Sequence, residues 1–421
     1  MFERPDAGER AILVHLNLQV GQEDLDELKE LTKSAGAQPT HVVTGSRHRP
    51  DPKYFVGTGK LEEIRSAIVE HEANIVIVNH PLSPSQERNL EKSLEVRVVD
   101  RNGLILDIFA QRAQTFEGKL QVELAQLKHL STRLIRGWTH LERQKGGIGL
   151  RGPGETQLET DRRLLGVRIK QIQQRLEKVE KQRHQGRSKR KKAEIPTVSL
   201  VGYTNAGKST LFNTLTGADI YAADQLFATL DPTLRQLSLS NGGEIILADT
   251  VGFIRHLPHE LVAAFRSTLQ EASEADLLLH VIDAAAEDRE DTIFQVNQVL
   301  NDIDAAKIPQ LMVFNKIDLL DEVAPHIDYD ANGKPVSVWI SAQNGVGCDL
   351  LQQALSELFA SSKVIRKCFL PASQAGVKAK LFAFVKIINE VNNDSGDCEL
   401  TVEIDKKHLG LLKDINVQEV A

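Results

Sequence analysis

The chain has 421 residues, enough for roughly two to four domains that each bury a hydrophobic core. Hydrophobic residues make up 41% and charged residues 26%, which is typical of a soluble globular protein. No apolar run is long enough to span a bilayer, and the first residues do not resemble a signal peptide. The three cysteines, Cys348, Cys368 and Cys398, lack metal-ligand spacing, and their odd number argues against a disulfide framework. We therefore expect a cytoplasmic monomer without a membrane span, and the sequence leaves partial membrane association open.

The charge is unevenly distributed along the chain. Residues 101–192 hold 22 Lys and Arg against 9 Asp and Glu, a net +13 in a chain whose total is −7, so the rest carries −20. A basic segment on an acidic body predicts one dedicated surface for a polyanion.

Residues 1–117 alternate short β-branched runs with amphipathic helical patterns. Strands are predicted at 12–16, 41–43, 75–78 and 96–99, and helices at 23–35, 60–70 and 85–94. This rhythm predicts a small parallel α/β domain. The stretch 55–60, Phe-Val-Gly-Thr-Gly-Lys, matches a phosphate loop only in part, so we interpret it as a strand-to-helix turn.

Residues 118–195 carry two apolar stripes at helical spacing. The first stripe is Leu120, Leu124, Leu127, Leu134, Trp138 and Leu141, and the second is Leu158, Leu165, Ile169, Ile172, Leu176 and Val179. Such stripes predict two helices packed as an antiparallel hairpin. The connecting tip, residues 145–154, is too rich in Gly and Pro to be helical.

Basic side chains cluster on the hairpin at Arg143, Lys145, Arg151, Arg162, Arg163 and Arg168. We favour contact with a nucleic-acid backbone, and a solvated charged face is the alternative. The basic run 187–192 is equally compatible with such a contact and with a solvated linker before Pro196.

Residues 202–209 read Gly-Tyr-Thr-Asn-Ala-Gly-Lys-Ser, the spacing of a phosphate-binding loop. A buried strand at 197–201 precedes it and a helix follows, as the motif requires. Gly202 and Gly207 would let backbone N–H groups approach the phosphates, and Lys208 would bring a positive charge to them. The residues predicted to hold the nucleotide here are Gly202, Tyr203, Thr204, Asn205, Ala206, Gly207, Lys208, Ser209 and Thr210.

Two further motifs predict the metal and the γ-phosphate contacts. Thr229 lies in the segment 227–233, and Asp249 ends a buried strand at 245–248. Together with Ser209 these two residues are the predicted Mg²⁺ ligands. The next residues, Thr250, Val251 and Gly252, should also line the nucleotide. Lys208, Thr229 and Gly252 are the candidate catalytic residues, Gly252 through its N–H.

The base-binding end is predicted at Asn315, Lys316 and Asp318, followed by Ser341, Ala342 and Gln343 after the next strand. The Asp318 carboxylate can accept from the guanine N1–H and 2-amino group, which adenine lacks. Leaving this carboxylate unpaired would favour guanine by several kcal/mol, about 10⁴-fold. The predicted ligand is therefore GTP or GDP, bound by a P-loop domain at 196–362.

Residues 363–421 predict strands at 381–388 and 400–404 around a polar turn at 392–396. We expect a small α/β appendage whose function the sequence does not indicate.

The ordered motif set resembles the translation-factor-like GTPases. The stretches 146–159, 227–233 and 253–259 narrow the resemblance to the bacterial HflX family, over residues 1 to about 360. The resemblance implies a ribosome-associated GTPase whose N-terminal and hairpin regions dock on the large subunit and its RNA. It further implies a role in splitting or rescuing stalled ribosomes under stress. The alternatives are a GTPase that remodels or assembles ribosomal RNA, and a GTP-timed regulatory switch that binds a protein.

Relatives of this kind often carry Gln after the Asp-x-x-Gly motif to orient the attacking water, whereas this chain has Phe253. We therefore expect a low intrinsic rate and a partner that completes the site. His256 and His259 are expected to be structural rather than catalytic bases. Relatives with Asn at the position of Asn205 bind K⁺ beside the phosphates. K⁺ is thus a candidate second cation, and Asn205 as a plain turn residue is the alternative.

Overall fold

The structure is a computed structural model that describes residues 8–18, 24–133, 157–192, 195–218, 226–240, 243–255, 266–360, 363–370, 385–393, 397–405 and 416–419. The predicted hairpin tip at 145–154 and the two histidines His256 and His259 lie outside these residues. Within them, no helix is long and apolar enough to cross a membrane.

The N-terminal domain is built on a parallel four-stranded sheet. Its strands are β1 (Arg10–Leu18), β2 (Gln38–Arg47), β3 (Ile75–Val78) and β4 (Arg97–Asp100), in the order β2-β1-β3-β4. Its helices include α1 (Leu25–Ser34), α2 (Thr58–Glu70) and α3 (Pro84–Leu94). The predicted parallel α/β domain is confirmed, and the stretch 55–60 forms the turn into α2, with Gly57 as its N-cap.

A further helix that the sequence analysis did not predict, α4 (Arg101–Arg112), starts directly at the end of β4. Asp100 caps it by accepting the Gly103 N–H at 2.8 Å. Because strand and helix follow each other without a turn, the N-cap residue Asp100 is the main local sequence signal of this boundary. Helix α4 leads the chain from the sheet to the hairpin.

The hairpin consists of α5 (Phe116–Arg133) and α6 (Gln157–Lys192). Leu120, Leu124 and Ile172 are buried between them, as the apolar stripes predicted. Arg168 and Glu123 form an ion pair across the two helices at 2.6 Å. Helix α6 continues to its end at Lys192, so the basic run 187–192 belongs to the helix rather than to a linker.

The nucleotide domain has a seven-stranded sheet in the order β10-β11-β9-β8-β5-β7-β6. The strands are β5 (Thr197–Val201), β6 (Thr233–Ser238), β7 (Glu244–Asp249), β8 (Leu277–Asp283), β9 (Gln310–Asn315), β10 (His326–Tyr329) and β11 (Pro335–Trp339). Strands β6 and β10 pair antiparallel with their neighbours, and the five strands between them are parallel. The carboxyl ends of the parallel strands meet at one sheet edge, where the predicted nucleotide motifs lie.

Among the described residues, the helices of this domain are α7 (Lys208–Thr216), α8 (Arg266–Ser273), α9 (Arg289–Asp302) and α10 (Cys348–Ala360), with a short 3₁₀ helix at Ile317–Leu319. The C-terminal segment forms an antiparallel sheet in the order β13-β14-β12-β15. Its strands are β12 (Lys363–Leu370), β13 (Val385–Asn392), β14 (Cys398–Asp405) and β15 (Asn416–Glu419). Its described residues are strands and short loops and contain no helix.

One hydrophobic cluster joins the N-terminal domain to the nucleotide domain. It includes Leu28 and Leu31 of α1, Phe109 of α4, and Phe227 and Phe253 from the nucleotide domain. The rings of Phe109 and Phe227 pack edge to face with their centroids 4.7 Å apart. The loops expected to respond to the nucleotide are therefore packed against the N-terminal domain.

Candidate nucleotide-binding site

The phosphate loop leaves β5 at Gly202 and enters α7 at Lys208. Gly202 has φ +147° and a Cβ there would lie 2.2 Å from the Val281 carbonyl oxygen. Gly207 has φ +93° and a Cβ there would lie 2.2 Å from Asn315 Nδ2. Only glycine fits either position, so the loop closes tightly and directs the N-terminus of α7 toward a bound anion.

Lys208 is buried inside this loop, with 5% of its surface exposed. Its Nζ donates to the carbonyl oxygens of Gly202, at 3.1 Å, and Tyr203, at 2.6 Å. Burial lowers the pKa of Lys208 to about 8, although the nearby Asp249 carboxylate acts in the opposite direction. A phosphate group beside Nζ would restore the preference for the charged form.

Three oxygen-bearing side chains from separate elements converge next to Lys208. Ser209 Oγ lies 2.7 Å from Thr229 Oγ1 and 2.8 Å from Asp249 Oδ2. Thr229 Oγ1 also donates to the same carboxylate oxygen at 2.9 Å. The other carboxylate oxygen, Asp249 Oδ1, is buried without a hydrogen-bond partner, and burial raises the pKa of this side chain. An orphaned carboxylate oxygen beside two hydroxyls fits Mg²⁺, which prefers hard oxygen ligands.

The two residues before Gly252 turn their side chains away from this cluster. Thr250 Oγ1 donates to the Leu200 carbonyl oxygen at 2.6 Å, and Val251 is buried in the hydrophobic cluster shared with the N-terminal domain. Only their backbone groups are left for a ligand. A cavity of about 50 Å³ beside them is lined by residues of the loop and of the facing segment, among them Thr204, Thr210, Thr229 and Gly252.

Phe253 occupies the position where relatives often carry a water-orienting Gln. Its N–H donates to the Gly202 carbonyl at 3.1 Å, and its own carbonyl accepts from the Thr204 N–H at 2.7 Å. Its side chain is 1% exposed and lies in the cluster shared with the N-terminal domain. The backbone of this segment is thus docked on the phosphate loop, and its side chain offers no polar group to a water molecule.

At the predicted base-binding end, Asn315 connects two motifs. Its Nδ2 donates to the Ala206 carbonyl at 2.9 Å, and its Oδ1 accepts the Ala342 N–H at 2.8 Å. Lys316 Nζ pairs with Asp283 at 2.7 Å. Asp318 accepts a hydrogen bond from Ser341 Oγ, which holds its carboxylate at the ends of β9 and β11. The neighbouring Gln343 is exposed.

Tyr203 turns its side chain away from the loop and into the N-terminal domain. Its hydroxyl donates to the Glu27 carboxylate and accepts the Arg255 N–H at 3.0 Å. Arg101 forms an ion pair with the same Glu27 and donates to the Arg255 carbonyl at 3.2 Å. This buried network was missed from the sequence because its members are single charges in separate segments.

Asn205 has a left-handed backbone with φ +61°. Asn is among the few residues that tolerate this conformation, so a turn role is compatible with its geometry. It also lines the cavity next to Ser209 and Thr229. Its two suggested roles, turn residue and cation ligand, therefore do not exclude each other.

Comparison with known proteins places these features in one family. Residues 22–110 match the family described as GTP-binding GTPase N-terminal, residues 112–190 the GTP-binding GTPase Middle Region, and residues 197–316 the 50S ribosome-binding GTPase. GTPase HflX of Escherichia coli strain K12 is 59% identical over 406 residues, which cover 96% of this chain and 95% of that protein. The chain belongs to the GTPase HflX family.

A second HflX protein, from Caldanaerobacter subterraneus, is 48% identical over 404 residues that cover 95% of this chain and 92% of its own. A solved structure of the SsGBP and GDP complex covers 84% of this chain and 99% of its own, with a TM-score of 0.49 at 26% identity. A likeness at that score adds nothing to the assignment. HflX membership makes this chain a GTPase, and the family and fold class predicted from the sequence are confirmed.

Proposed function

We propose that this chain is a Mg²⁺-dependent GTPase that binds the large ribosomal subunit and uses GTP to dissociate or rescue stalled ribosomes under stress. The convergence of Ser209, Thr229 and Asp249 beside a buried Lys208 is the observation that carries the proposal. Ribosome binding is supported by the match of residues 197–316 to the 50S ribosome-binding GTPase family. The cytoplasmic location and the monomeric state expected from the sequence stay predictions.

In this proposal each motif contacts one part of GTP. Lys208 neutralises the β- and γ-phosphates, the Gly252 N–H donates to the γ-phosphate, and the Asp318 carboxylate binds guanine. Ser209, Thr229 and Asp249 would hold Mg²⁺, which when bound supplies positive charge to the phosphate oxygens. The remaining loop and base-end residues contribute backbone contacts.

Phe253 stands where relatives often carry a water-orienting Gln, and its buried side chain offers no polar group to the attacking water. A partner that orders the surrounding segments would therefore raise the hydrolysis rate. A second cation is also part of the proposal: K⁺ bound at Asn205 would add positive charge where charge develops in the transition state.

The hairpin is proposed as the RNA-contacting surface. Arg162 and Arg163 are exposed on α6, and the side chain of Arg168 keeps 43% of its surface exposed despite its ion pair. The backbone of α6 continues through the basic run 187–192, which adds further positive charge to the sequence of the same helix. Such a surface can neutralise several phosphates, which makes binding strongly dependent on salt.

Co-sedimentation with purified ribosomal subunits tests the proposal. With a non-hydrolysable GTP analogue the protein should pellet with the large subunit, and with GDP it should stay largely in the supernatant. Arg162→Gln with Arg163→Gln should weaken binding and flatten its salt dependence, whereas the control pair Arg235→Gln with Arg289→Gln should not. Binding to free ribosomal RNA regardless of nucleotide would favour the remodelling alternative. No sedimentation in either state would favour a switch that binds a protein partner.

A further inference from the structure

Asp231, two residues beyond Thr229, contacts the start of hairpin helix α5. Its Oδ2 accepts the backbone N–H groups of Gln114 and Thr115, both at 2.8 Å. Its Oδ1 accepts the Thr115 hydroxyl at 2.5 Å. A carboxylate from the nucleotide domain thus holds Thr115, the residue directly before a helix of another domain, where a negative charge complements the helix dipole.

The contact leaves little room for movement. Thr115 Oγ1 also accepts the N–H of Gly118, in the first turn of α5, at 2.9 Å. A Cβ at Gly118 would lie 2.1 Å from Asp231 Oδ1, so a glycine is required for this close approach. The helix start and the carboxylate are therefore fitted to each other.

We define the switch segment as residues 226–231. At its other end the Leu226 N–H donates to Ser34 Oγ of α1 at 3.0 Å. Phe227 packs against Phe109 of α4, and Leu230 is buried in the same cluster. Thr229, which meets Ser209 and Asp249, lies between these two anchors.

Asp231 lies only two residues beyond Thr229, so a movement of one is transmitted to the other through a short stretch of chain. Two residues of extended chain span at most about 7 Å, so Thr229 cannot stay in place if the start of α5 moves away by more than a few ångströms while still bonded to Asp231. A nucleotide that fixes Thr229 must then also favour one position of the hairpin base. By thermodynamic reciprocity, a ligand that holds the hairpin in that position favours the same placement of Thr229.

We infer that Asp231 is a positioning residue for GTP hydrolysis: by binding Gln114 and Thr115 at the start of α5 it fixes Thr229 and couples the hairpin to the nucleotide site. This inference rests on the proposed function in taking Thr229 as the residue that senses the γ-phosphate. It gives a physical route by which RNA bound to the hairpin alters a site that has no water-orienting Gln. Asp231 itself does not line the cavity beside the phosphate loop.

The ratio of affinities for a GTP analogue and for GDP, measured by titration with fluorescent nucleotides, tests the inference without ribosomes. Asp231→Asn and Thr115→Val should each lower this ratio about threefold or more, because the GTP-bound placement of Thr229 is then less preorganised. GDP affinity should stay within about twofold, since GDP does not need Thr229. Thr115→Ser, which keeps the hydroxyl, and Asp302→Asn, an exposed carboxylate at the end of α9, should leave the ratio unchanged.

A role confined to helix stability would lower the unfolding temperature of Thr115→Val but leave the affinity ratio unchanged. An unchanged ratio in both Asp231→Asn and Thr115→Val would overturn the inference. The stimulation of hydrolysis by large subunits is measured in parallel, and it should fall about fivefold or more in these two variants. If large subunits do not stimulate hydrolysis by the wild-type protein, that result counts against the proposed function alone. The affinity ratio still tests whether Asp231 couples the hairpin base to Thr229.

Discussion

Replacing Tyr203 with Phe tests the interface between the phosphate loop and the N-terminal domain. The change removes only the hydroxyl, which donates to Glu27 and accepts the Arg255 N–H at 3.0 Å, and it keeps the ring. Tyr203 is partly buried, and desolvation together with the Glu27 charge raises the pKa of its hydroxyl. A buried polar group left without its partner costs about 1–3 kcal/mol. We expect the free energy of unfolding to fall by about that amount. The loss should not be larger, because Arg101 still pairs with Glu27.

Urea unfolding followed by tryptophan fluorescence measures this loss, and GTP titration of the same variant measures nucleotide affinity. Affinity should stay within about twofold, because the hydroxyl faces the N-terminal domain rather than the phosphates. The matched control is Tyr329→Phe, whose hydroxyl is exposed and bonds Glu357 at 3.4 Å, so its effect should stay within about 0.5 kcal/mol. If Tyr203→Phe leaves stability unchanged but lowers GTP affinity about tenfold or more, the hydroxyl does not stabilise the contact with the N-terminal domain as described here.

Three further predictions concern the nucleotide itself. Because the pKa of Lys208 is lowered to about 8, the nucleotide-free protein loses this positive charge above that pH. GTP affinity should therefore fall as the pH rises beyond 8. Calorimetry near pH 9 should detect proton uptake when GTP binds. For stability the sign is opposite: the unfolded state holds this proton more tightly, so the free energy of unfolding of the nucleotide-free protein rises between pH 8 and 10.5, the ordinary pKa of lysine. Asp318→Asn should reduce GTP affinity by about 10³-fold or more while ATP affinity changes little, and equal loss for both nucleotides would mean that Asp318 does not read the base. Hydrolysis should be faster in K⁺ than in Na⁺ at matched ionic strength, and Asn205→Ala should remove the difference; equal rates in the wild type would exclude the cation role.

The nucleotide motifs could be located from the sequence because each has a fixed spacing and follows a buried strand. Strands β5, β7 and β9 deliver Gly202, Asp249 and Asn315 to one edge of a parallel sheet. The hairpin could be predicted equally well, because its apolar stripes repeat over many turns. Leu120, Leu124 and their partners from these stripes are buried. Periodicity and spacing are local properties, and a single sequence contains them.

The interface between domains could not be predicted in the same way. Glu27, Arg101 and Arg255 lie far apart in the chain, and nothing in their local sequence distinguishes them from surface charges. The same holds for Asp231, whose contact with Thr115 depends on how two domains pack. The sequence shows that residue 253 is Phe rather than Gln. Only the structure shows that this side chain is buried against the N-terminal domain.

The hydrolysis rate in the presence and absence of purified large ribosomal subunits is the most direct test of the account. The buried Phe253 predicts slow hydrolysis by the protein alone. The contact of Asp231 with the hairpin base predicts an acceleration of about tenfold or more with large subunits, which Lys208→Ala abolishes. If the protein binds GTP normally but large subunits leave its hydrolysis rate unchanged, that result would contradict the proposed function.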